Sequence, residues 1–432
     1  MTTSVSHIAD HSTPALTSPS TVDASKWQDV ARVPRSSCAR TAATALIVRQ
    51  ALARLPIRVR WGTGPDTGHE GPVMQVRRPE AFFRRIGTDG LIGFGESYMA
   101  GEWDTDDLVG VLTVLAANVT ALVPGPLQRL RGAWARRQSA SERNTLKGAR
   151  ENIQRHYDLS NELFALFLDE TMTYSSAVFQ CLPARWDVLA AAQRHKIDRL
   201  LDLAGVGPGT RLLEIGTGWG ELALRAAVRG AQVVTVTLSR EQRDLAERRI
   251  EEAGWANRVS VRLRDYRQME GVYDAVVSVE MIEAVGEEYW PVYFRSLNRV
   301  LAPGGRIALQ AITMPHDRLL ATRGTYTWIH KYIFPGGVIP SIDGIAKASA
   351  DAGLRVKSSE AYGEHYAETL RLWRERFISR ADRLQDLGFD ETFRRMWQFY
   401  LAYSEAGFRA RYLDVHQLLL NTGEIAKDGG TR

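Results

Sequence analysis

A glycine-rich stretch at residues 214–220 has the residue types and spacing of a cofactor-binding loop. It reads Glu214-Ile-Gly-Thr-Gly-Trp-Gly220, follows a strand-like segment at 211–216 and precedes a helical segment at 221–229. Glycines in such a turn let a ligand approach the backbone closely, because they carry no Cβ. The spacing G-x-G-x-G differs from the G-x-G-x-x-G of loops that place a dinucleotide pyrophosphate at a helix end. The loop therefore predicts a cofactor other than a dinucleotide.

The residues flanking the loop narrow the choice of cofactor. Glu214 stands two residues before Gly216, an arrangement typical of class I methyltransferases, which bind S-adenosylmethionine (SAM). In that class the second strand usually ends in an acidic ligand of the ribose, whereas residues 235–239 read Thr-Val-Thr-Leu-Ser here. The loop thus predicts a SAM site, and the departure at the second strand points to a particular subfamily.

The elements around the loop predict an α/β fold. Strand-like segments at 211–216, 232–238, 259–263, 273–279 and 305–311 alternate with helical segments at 221–229 and 240–253. This order predicts a doubly wound, Rossmann-like, mostly parallel sheet with its ligand at the carboxyl ends of the first strands. Before it, strands at 57–61 and 73–78 and a helix from Pro79 predict a smaller amino-terminal α+β domain. After it, the aromatic-rich residues 314–432 predict helical additions.

Composition and hydropathy predict the domain boundaries. Residues 1–26 are rich in Ser and Thr and predict a disordered tail. Residues 27–123 are expected to form an amino-terminal domain associated with lipid or membrane. Their longest apolar run, 108–123, is too short to span a membrane and predicts a buried helix. A basic linker and helix at 124–155, the methyltransferase domain at 156–420 and a flexible tail at 421–432 follow. Two cysteines, Cys38 and Cys181, exclude a disulfide framework, and we expect no metal site.

The positive charge of the chain is concentrated in one segment. The whole chain has 55 Lys and Arg against 50 Asp and Glu, a formal net charge of +5. Residues 124–155 contain eight basic and two acidic residues, a net charge of +6. A solvated helical face explains such a run, and so does attraction to anionic lipid head groups. Nucleic acid is disfavoured, because no aromatic-interleaved or helix-turn-helix pattern accompanies the charge.

Ordered motifs run through the second half of the chain. They are His156-Tyr-Asp-Leu-Ser-Asn161, Thr173-Tyr-Ser175, Thr237-Leu-Ser-Arg-Glu-Gln242, Asp265-Tyr-Arg267, Glu280-Met-Ile-Glu-Ala-Val-Gly286, Leu309-Gln-Ala-Ile-Thr-Met-Pro-His316 and Tyr332-Ile-Phe-Pro-Gly-Gly337. Together they resemble the family of cyclopropane-fatty-acyl-phospholipid synthases and mycolic-acid methyltransferases. The resemblance covers about residues 92–417. It is closest to the actinobacterial branch implicated in making the 10-methyl-branched tuberculostearic acid.

The resemblance implies which residues bind SAM. It places the cofactor against two residues before the sheet, the glycine loop, the end of the second strand and a triplet that holds the adenine. These residues are Tyr174, Ser175, Gly216, Thr217, Gly218, Thr237, Leu238, Gln242, Asp265, Tyr266 and Arg267. The glycine spacing of the loop adds Gly220 to the expected cofactor-binding residues. For Tyr174 and Tyr266, simple core packing is the alternative.

The resemblance also implies a reaction. Family members transfer the methyl group of SAM to an isolated cis double bond of a phospholipid acyl chain, here of the oleoyl type. An alkene is a poor nucleophile, so the site must align the reactants and exclude water. Aromatic faces can stabilise the resulting carbocation through cation–π attraction. A base then removes a proton, which gives a cyclopropane ring or, after a hydride shift, an exocyclic methylene.

Typical family members hold a bicarbonate as that base through five positions. In this chain the five positions read Ser176, Glu283, Gln310, Ile312 and Tyr366, with Ser and Gln in place of a Cys and a His. The two departures weaken the case for a bound bicarbonate, although both residues still donate hydrogen bonds. We expect Glu283, with a pKa raised by burial, to be the base or to position a water or a bicarbonate. A purely structural carboxylate is the alternative.

Further expectations follow about the product and the partners. Because the pocket differs where the cation loses its proton, we expect the methylene product rather than the cyclopropane. Saturating a methylene would need a separate reductase, since this chain has no dinucleotide fingerprint. We expect a cytoplasmic protein, peripherally associated with anionic lipid on the inner face of the plasma membrane. The sequence leaves open whether two copies form a homodimer.

Three other functions share parts of the pattern. A nucleic-acid methyltransferase would need a catalytic cysteine or an Asn/Asp-Pro-Pro-Tyr motif, and the two cysteines lie outside any such context. A small-molecule O- or N-methyltransferase would not explain the long preceding domain. A non-catalytic lipid-binding protein on the same fold is disfavoured by the intact residues Gly216, Gly218, Gln242, Glu283 and Tyr366.

Overall fold

The computed structural model describes residues 22–119, 148 and 160–422. The part up to residue 119 is the α+β unit that the sequence predicts, with a four-stranded sheet at its centre. Its elements are α1 (Gln28–Ala31), α2 (Cys38–Leu52), β1 (Arg58–Trp61), β2 (Asp66–Gly68), β3 (Val73–Val76), α3 (Pro79–Asp89), α4 (Leu91–Met99), β4 (Trp103–Asp104) and α5 (Leu108–Ala117). The strands lie in the order β2-β1-β3-β4.

The long apolar run of the sequence forms the last of these helices. Helix α5 is capped by Asp107, whose Oδ1 accepts the N–H of Gly110 at 2.8 Å. Leu108, Val111 and Leu112 are buried, which confirms the predicted buried helix as far as the described residues reach. In the described ranges no helix is long and apolar enough to cross a membrane.

A seven-stranded sheet forms the centre of residues 160–422. Its strands are β5 (Arg211–Ile215), β6 (Gln232–Thr237), β7 (Val259–Leu263), β8 (Tyr273–Val279), β9 (Leu301–Thr313), β10 (Leu354–Ala361) and β11 (Asp414–Thr422). They lie in the order β10-β11-β9-β8-β5-β6-β7, with β5 to β9 parallel and the other two antiparallel. Chain order reverses between β5 and β8, and ligands of doubly wound sheets bind at such a switch point.

Helices flank this sheet, and the two predicted at 221–229 and 240–253 are found to within one residue. The helices are α6 (Asn161–Phe167), α7 (Leu189–Leu203), α8 (Glu221–Val228), α9 (Arg240–Glu252), α10 (Ile282–Val285), α11 (Trp290–Val300), α12 (His316–Thr322), α13 (Trp328–Tyr332), α14 (Ile342–Asp351), α15 (Gly363–Ser379), α16 (Ala381–Asp386) and α17 (Glu391–Arg409). Strand β9 is longer than the predicted 305–311, because it pairs with β8 along one edge and with β11 along the other.

The region after residue 314 is not purely helical, which corrects the expectation from the sequence. Strands β10 and β11 lie in it and extend the sheet beyond β9. Strand β11 lies between β9 and β10 and buries Val415, Leu418 and Leu420. The buried Gln417 interrupts the alternation of apolar and polar residues that would mark β11 in the sequence. The residues before β11 are rich in aromatic side chains and form helices. Because β11 ends at Thr422, the predicted domain end at residue 420 falls inside a strand.

The amino-terminal unit packs against the last long helix, α17. The ring of Phe399 lies 6.2 Å from that of Phe94 and 5.3 Å from that of Tyr98, centroid to centroid. The guanidinium of Arg395 donates to the carbonyls of Tyr98 at 2.7 Å and Trp103 at 3.2 Å. Apolar burial and hydrogen bonds therefore both join the predicted amino-terminal domain to the helical additions.

Candidate active site

The glycine loop joins β5 to α8 at the switch point of the sheet. Gly216 adopts φ 96°, in the left-handed region that favours glycine, and a Cβ there would lie 2.8 Å from Cγ of Met281. The N–H groups of Gly216 and Thr217 both donate to the carbonyl of Val236, and the Thr217 and Thr235 hydroxyls lie 2.7 Å apart. The loop is therefore fixed to the neighbouring strand, and a side chain at Gly216 would collide with the facing residue.

A cavity of about 1170 Å³, counting its open mouth, lies beside this loop. Eleven of the twelve predicted cofactor-binding residues line it: Tyr174, Ser175, Gly216, Thr217, Gly218, Thr237, Leu238, Gln242, Asp265, Tyr266 and Arg267. Gly220 is not among these lining residues. It has φ 92°, and a Cβ there would point at Ala246, 3.2 Å away. Gly220 instead permits the turn into α8.

Several of the lining residues hold one another in place. Thr237 Oγ1 donates to Oε1 of Gln242 at 2.8 Å, and Ser239 Oγ caps α9 by accepting the N–H of Gln242. Asp265 accepts the backbone N–H of Arg267 at 2.9 Å and its guanidinium at 2.6 Å. The polar groups at the ends of β6 and β7 are thus fixed by their own hydrogen bonds.

A buried carboxylate, Glu214, lies in the cavity wall within β5. Its side chain is almost inaccessible, and burial raises its pKa to about 8. Its Oε2 has no hydrogen-bond partner among the residues that the structure describes. Buried polar atoms are normally paired, so this oxygen favours a ligand that brings a cationic hydrogen-bond donor.

Lys196 of α7 reaches the same cavity, although the sequence gave no functional reason to expect it. Its Nζ donates to Oγ of Ser175 at 2.6 Å, and the whole residue is buried. Burial lowers its pKa to about 8, against the opposing charges of Glu280, Asp169 and Glu214. The sequence signal that could have identified Lys196 is its position on the apolar face of a helix. Its ammonium group lies close enough to these three carboxylates to offset part of their charge.

A second carboxylate, Glu280, forms part of the cavity wall just after β8. Three groups donate to it: the N–H of Ser176 at 2.9 Å, Nε2 of Gln310 at 2.9 Å and the hydroxyl of Tyr366 at 2.7 Å. Gln417 orients Gln310 by donating to its Oε1 at 3.1 Å. The sequence shows Glu280 only as a motif residue, so this arrangement is a finding of the structure.

The carboxylate of Glu283 lies next to that of Glu280. Its Oε1 accepts the N–H of Ile312, and its buried Oε2 has no hydrogen-bond partner within the described ranges. Burial, together with the charge of Glu280, raises the pKa of Glu283 to about 8. The raised pKa agrees with the expectation from the sequence. Glu283 is, however, not among the residues that line the cofactor cavity.

The five predicted catalytic residues come together, but around two carboxylates. Three of them donate to Glu280, and Ile312 donates to Glu283. Ser176 donates to Glu280 through its backbone N–H and not through its hydroxyl. The hydroxyl Oγ donates instead to the carbonyl of Ala177 at 3.0 Å. The structure therefore adds a carboxylate at the centre of the predicted set.

A known protein family matches most of this sequence. Residues 144–418 match the family model described as mycolic acid cyclopropane synthetase. The chain belongs to this family. The matched range includes the glycine loop, both carboxylates and all five predicted catalytic residues.

Individual relatives from this family match most of the chain. The tuberculostearic acid methyltransferase UfaA1 of Mycobacterium tuberculosis (strain ATCC 25618 / H37Rv) is 55% identical over 411 residues, which cover 92% of this chain and 96% of that protein. The cyclopropane-fatty-acyl-phospholipid synthase of Escherichia coli (strain K12) is 33% identical over 382 residues, covering 87% and 93%. The structure of the mycolic acid cyclopropane synthase CmaA1 complexed with SAH and CTAB has a TM-score of 0.58 at 32% identity and covers 63% of this chain and 97% of that chain.

The family assignment identifies the protein as a SAM-dependent methyltransferase with a class I fold. Its residues fit the cofactor. Gly216 leaves space that a side chain would fill, Glu214 offers a buried oxygen to the ammonium group of SAM, and Asp265 and Gln242 supply fixed polar groups. Bound SAM supplies a methyl group on a positively charged sulfur.

Proposed function

We propose that this methyltransferase acts on the cis double bond of a phospholipid-bound, oleoyl-type acyl chain and gives a methylene or methyl-branched chain of the tuberculostearic type. The observation that carries the proposal is the carboxylate of Glu280 in the wall of the cofactor cavity. Methylation of an alkene requires a nearby group that afterwards accepts a proton. The identity of 55% to a tuberculostearic acid methyltransferase supports this product, and the identity of 33% to a cyclopropane synthase supports the alternative.

Aromatic residues next to the cavity support an alkene substrate. The hydroxyl of Tyr174 lies 2.6 Å from that of Tyr400, and its ring centroid lies 5.4 Å from that of Trp373. Trp373 in turn packs edge to face against Tyr366, 6.3 Å away. Such ring faces stabilise a carbocation on the acyl chain, and the apolar surroundings exclude water that would capture it.

The product distinguishes the two candidate reactions. Each adds one CH2 to the acyl chain, so the products are isomers and NMR of the extracted fatty acids is needed to separate them. In cells that contain oleoyl phospholipids and express this protein, we expect exocyclic methylene signals that are missing from cells with the empty vector. Cyclopropane signals alone would contradict the methylene assignment, and unmodified oleate would contradict the proposed function.

A separate reductase is part of the same proposal. A methylene group becomes a saturated methyl branch only by gaining two hydrogen atoms, and the glycine spacing of residues 216–220 does not match a dinucleotide loop. The saturated branch should therefore appear in the same cells only when they also contain a suitable reductase.

The basic segment at 124–155 supports docking at the inner face of the plasma membrane. Apart from residue 148 it lies outside the described residues, so the argument rests on its net charge of +6. Each basic residue near an anionic surface contributes about 1 kcal/mol. Replacing four arginines by glutamine removes about 4 kcal/mol and should therefore weaken binding to phosphatidylglycerol vesicles, measured by cosedimentation, by up to about 1000-fold. The four are Arg129, Arg131, Arg136 and Arg137.

The matched control removes the same charge from elsewhere on the surface. Four exposed basic residues outside the segment, replaced by glutamine, should leave vesicle binding close to that of the unaltered protein; they are Lys347, Arg355, Lys357 and Arg383. Equal losses for the two variants would mean that overall charge, and not the basic segment, governs membrane association.

A further inference from the structure

We propose that Glu280 is the built-in general base of this enzyme and takes the place of the bicarbonate that the family resemblance implies. The inference rests on the proposed function, since only methylation of an alkene leaves a cation that must lose a proton.

The residues around Glu280 do not fit a bicarbonate. Such an ion would need hydrogen-bond donors for its oxygens, and the five family positions are where these donors would come from. Donors from three of the positions already converge on Glu280, at 2.9, 2.9 and 2.7 Å. The N–H of Ile312 is directed at Glu283. The side chain of Glu280 thus brings a carboxylate to the donors that a bicarbonate would use.

The backbone at Glu280 also indicates a function. Its φ is 51°, in the left-handed region that glycine adopts readily and that other residues adopt at a cost. Its N–H nevertheless donates to the carbonyl of Gln310 at 2.7 Å, so the position is fixed by β9. A residue with a long side chain in such a conformation is a recurrent feature of functional sites.

The hydrogen bonds at Glu280 leave room for a proton. A carboxylate has about four acceptor positions on its two oxygens. Oε1 accepts from Ser176 and Gln310, whereas Oε2 accepts only from Tyr366 among the described residues. Oε2 therefore keeps an acceptor position, and Glu280 lines the cavity in which the methyl group is transferred. Burial raises the pKa of Glu280, and the nearby charge of Lys196 opposes this.

The proton transfer balances atoms and charge. After methyl transfer, the neighbouring acyl carbon carries the positive charge, and a hydride shift moves that charge to the methylated carbon. Glu280 Oε2 then takes a proton from the new methyl group, and the electrons of that C–H bond form the exocyclic double bond. A carbocation and a carboxylate thereby become a neutral alkene and a carboxylic acid, which returns its proton to solvent. Proton loss without the hydride shift would use the same base and close a cyclopropane ring.

Glu283 is then not the base, which is one of the two roles expected for it from the sequence. Two adjacent ionised carboxylates repel each other, and the charge of Glu280 contributes to the raised pKa of Glu283. With a pKa of about 8, Glu283 is mostly protonated at neutral pH, and its Oε1 already accepts the N–H of Ile312. We therefore assign Glu283 as a positioning residue.

The test measures lipid methylation with purified protein, SAM and oleoyl-phospholipid vesicles in CO2-free buffer. The unaltered enzyme should be fully active without bicarbonate. Glu280→Gln and Glu280→Gly should each lower kcat by about 100-fold or more, because a general base contributes about this much. Added bicarbonate or acetate should raise the kcat of Glu280→Gly about tenfold, because this substitution leaves the three hydrogen-bond donors free to bind the added anion. Glu280→Gln should not recover, since its amide occupies the same space.

Controls separate this inference from the proposed function. Both variants lose hydrogen bonds at Glu280 and should melt at a lower temperature, so circular dichroism must show that they are folded at the assay temperature. SAM affinity by calorimetry should stay close to that of the unaltered enzyme, and sodium chloride at equal ionic strength should give no recovery. Near-normal turnover of Glu280→Gln, or a larger loss for Glu283→Gln, would overturn the inference. A bicarbonate requirement of the unaltered enzyme would overturn it too, even if a variant failed to fold. An unaltered enzyme that methylates no oleoyl lipid would instead overturn the proposed function.

Discussion

Replacing Gly216 by valine should weaken SAM binding by about 100-fold or more, with a parallel loss of methylation. Two physical causes act together. Valine is β-branched and strained at φ 96°, which costs about 1–3 kcal/mol and is relieved only by moving loop backbone that lines the cofactor cavity. Its Cβ would also lie 2.8 Å from Cγ of Met281, which lines the cofactor cavity and would have to move into it. Isothermal titration calorimetry with SAM measures the effect directly.

Gly254 offers a matched control for this substitution. It has φ 79° and lies just after α9, and a Cβ added there would meet no other atom within 4 Å. Valine at Gly254 should therefore lower the melting temperature through backbone strain alone and leave the affinity for SAM unchanged. If valine at Gly216 binds SAM as tightly as valine at Gly254, the cavity beside the loop is not the cofactor site.

The affinity for SAM should rise with pH between about 7 and 8, and Glu214→Gln should remove this dependence. Burial raises the pKa of Glu214 to about 8, so the carboxyl of the SAM-free protein is mostly protonated at neutral pH. We expect the ammonium group of SAM to pair with the ionised form, so each pH unit below the pKa should cost up to about tenfold in affinity. Calorimetry at several pH values gives the slope, and an equal slope in the variant would contradict this role for Glu214.

The same carboxyl makes the stability of the SAM-free protein depend on pH. The unfolded chain loses this proton near the ordinary value of 4.5, whereas the folded chain keeps it up to about 8. Between these values the unfolded state binds fewer protons, so the free energy of unfolding decreases as pH rises. Glu214→Gln should flatten this decrease, whereas Glu251→Gln, at an exposed position, should leave it unchanged. Thermal melts from pH 5 to 8 measure both.

The sheet and the cofactor loop were predictable because their signals are local. Alternating apolar segments predict β5 to β8 and the helices between them, and the spacing of Gly216 and Gly218 predicts the turn. Strand β11 was missed because it is recognised only by its neighbours β9 and β10, which lie far away in the chain. Gly220 was predicted from spacing alone, which does not show whether a residue lines the cavity or turns the chain into α8.

The catalytic set was predicted only in part, for a similar reason. The resemblance brought Gln310 and Tyr366 to one site, but it could not show which acceptor they share. That acceptor, Glu280, is defined by a left-handed backbone and by contacts with residues up to 104 positions away. Lys196 was missed because a lysine within an amphipathic helix is ordinarily solvated.

The packing of Phe399 against Phe94 and Tyr98 limits how this enzyme can be divided. The family match begins at residue 144, yet rings that cover its last long helix come from residues before that point. The segment that carries the chemistry and the segment that folds independently are therefore not the same. An engineered chimera that grafts residues 144–418 onto another protein would expose an aromatic surface on α17 unless its amino-terminal partner is transferred with it.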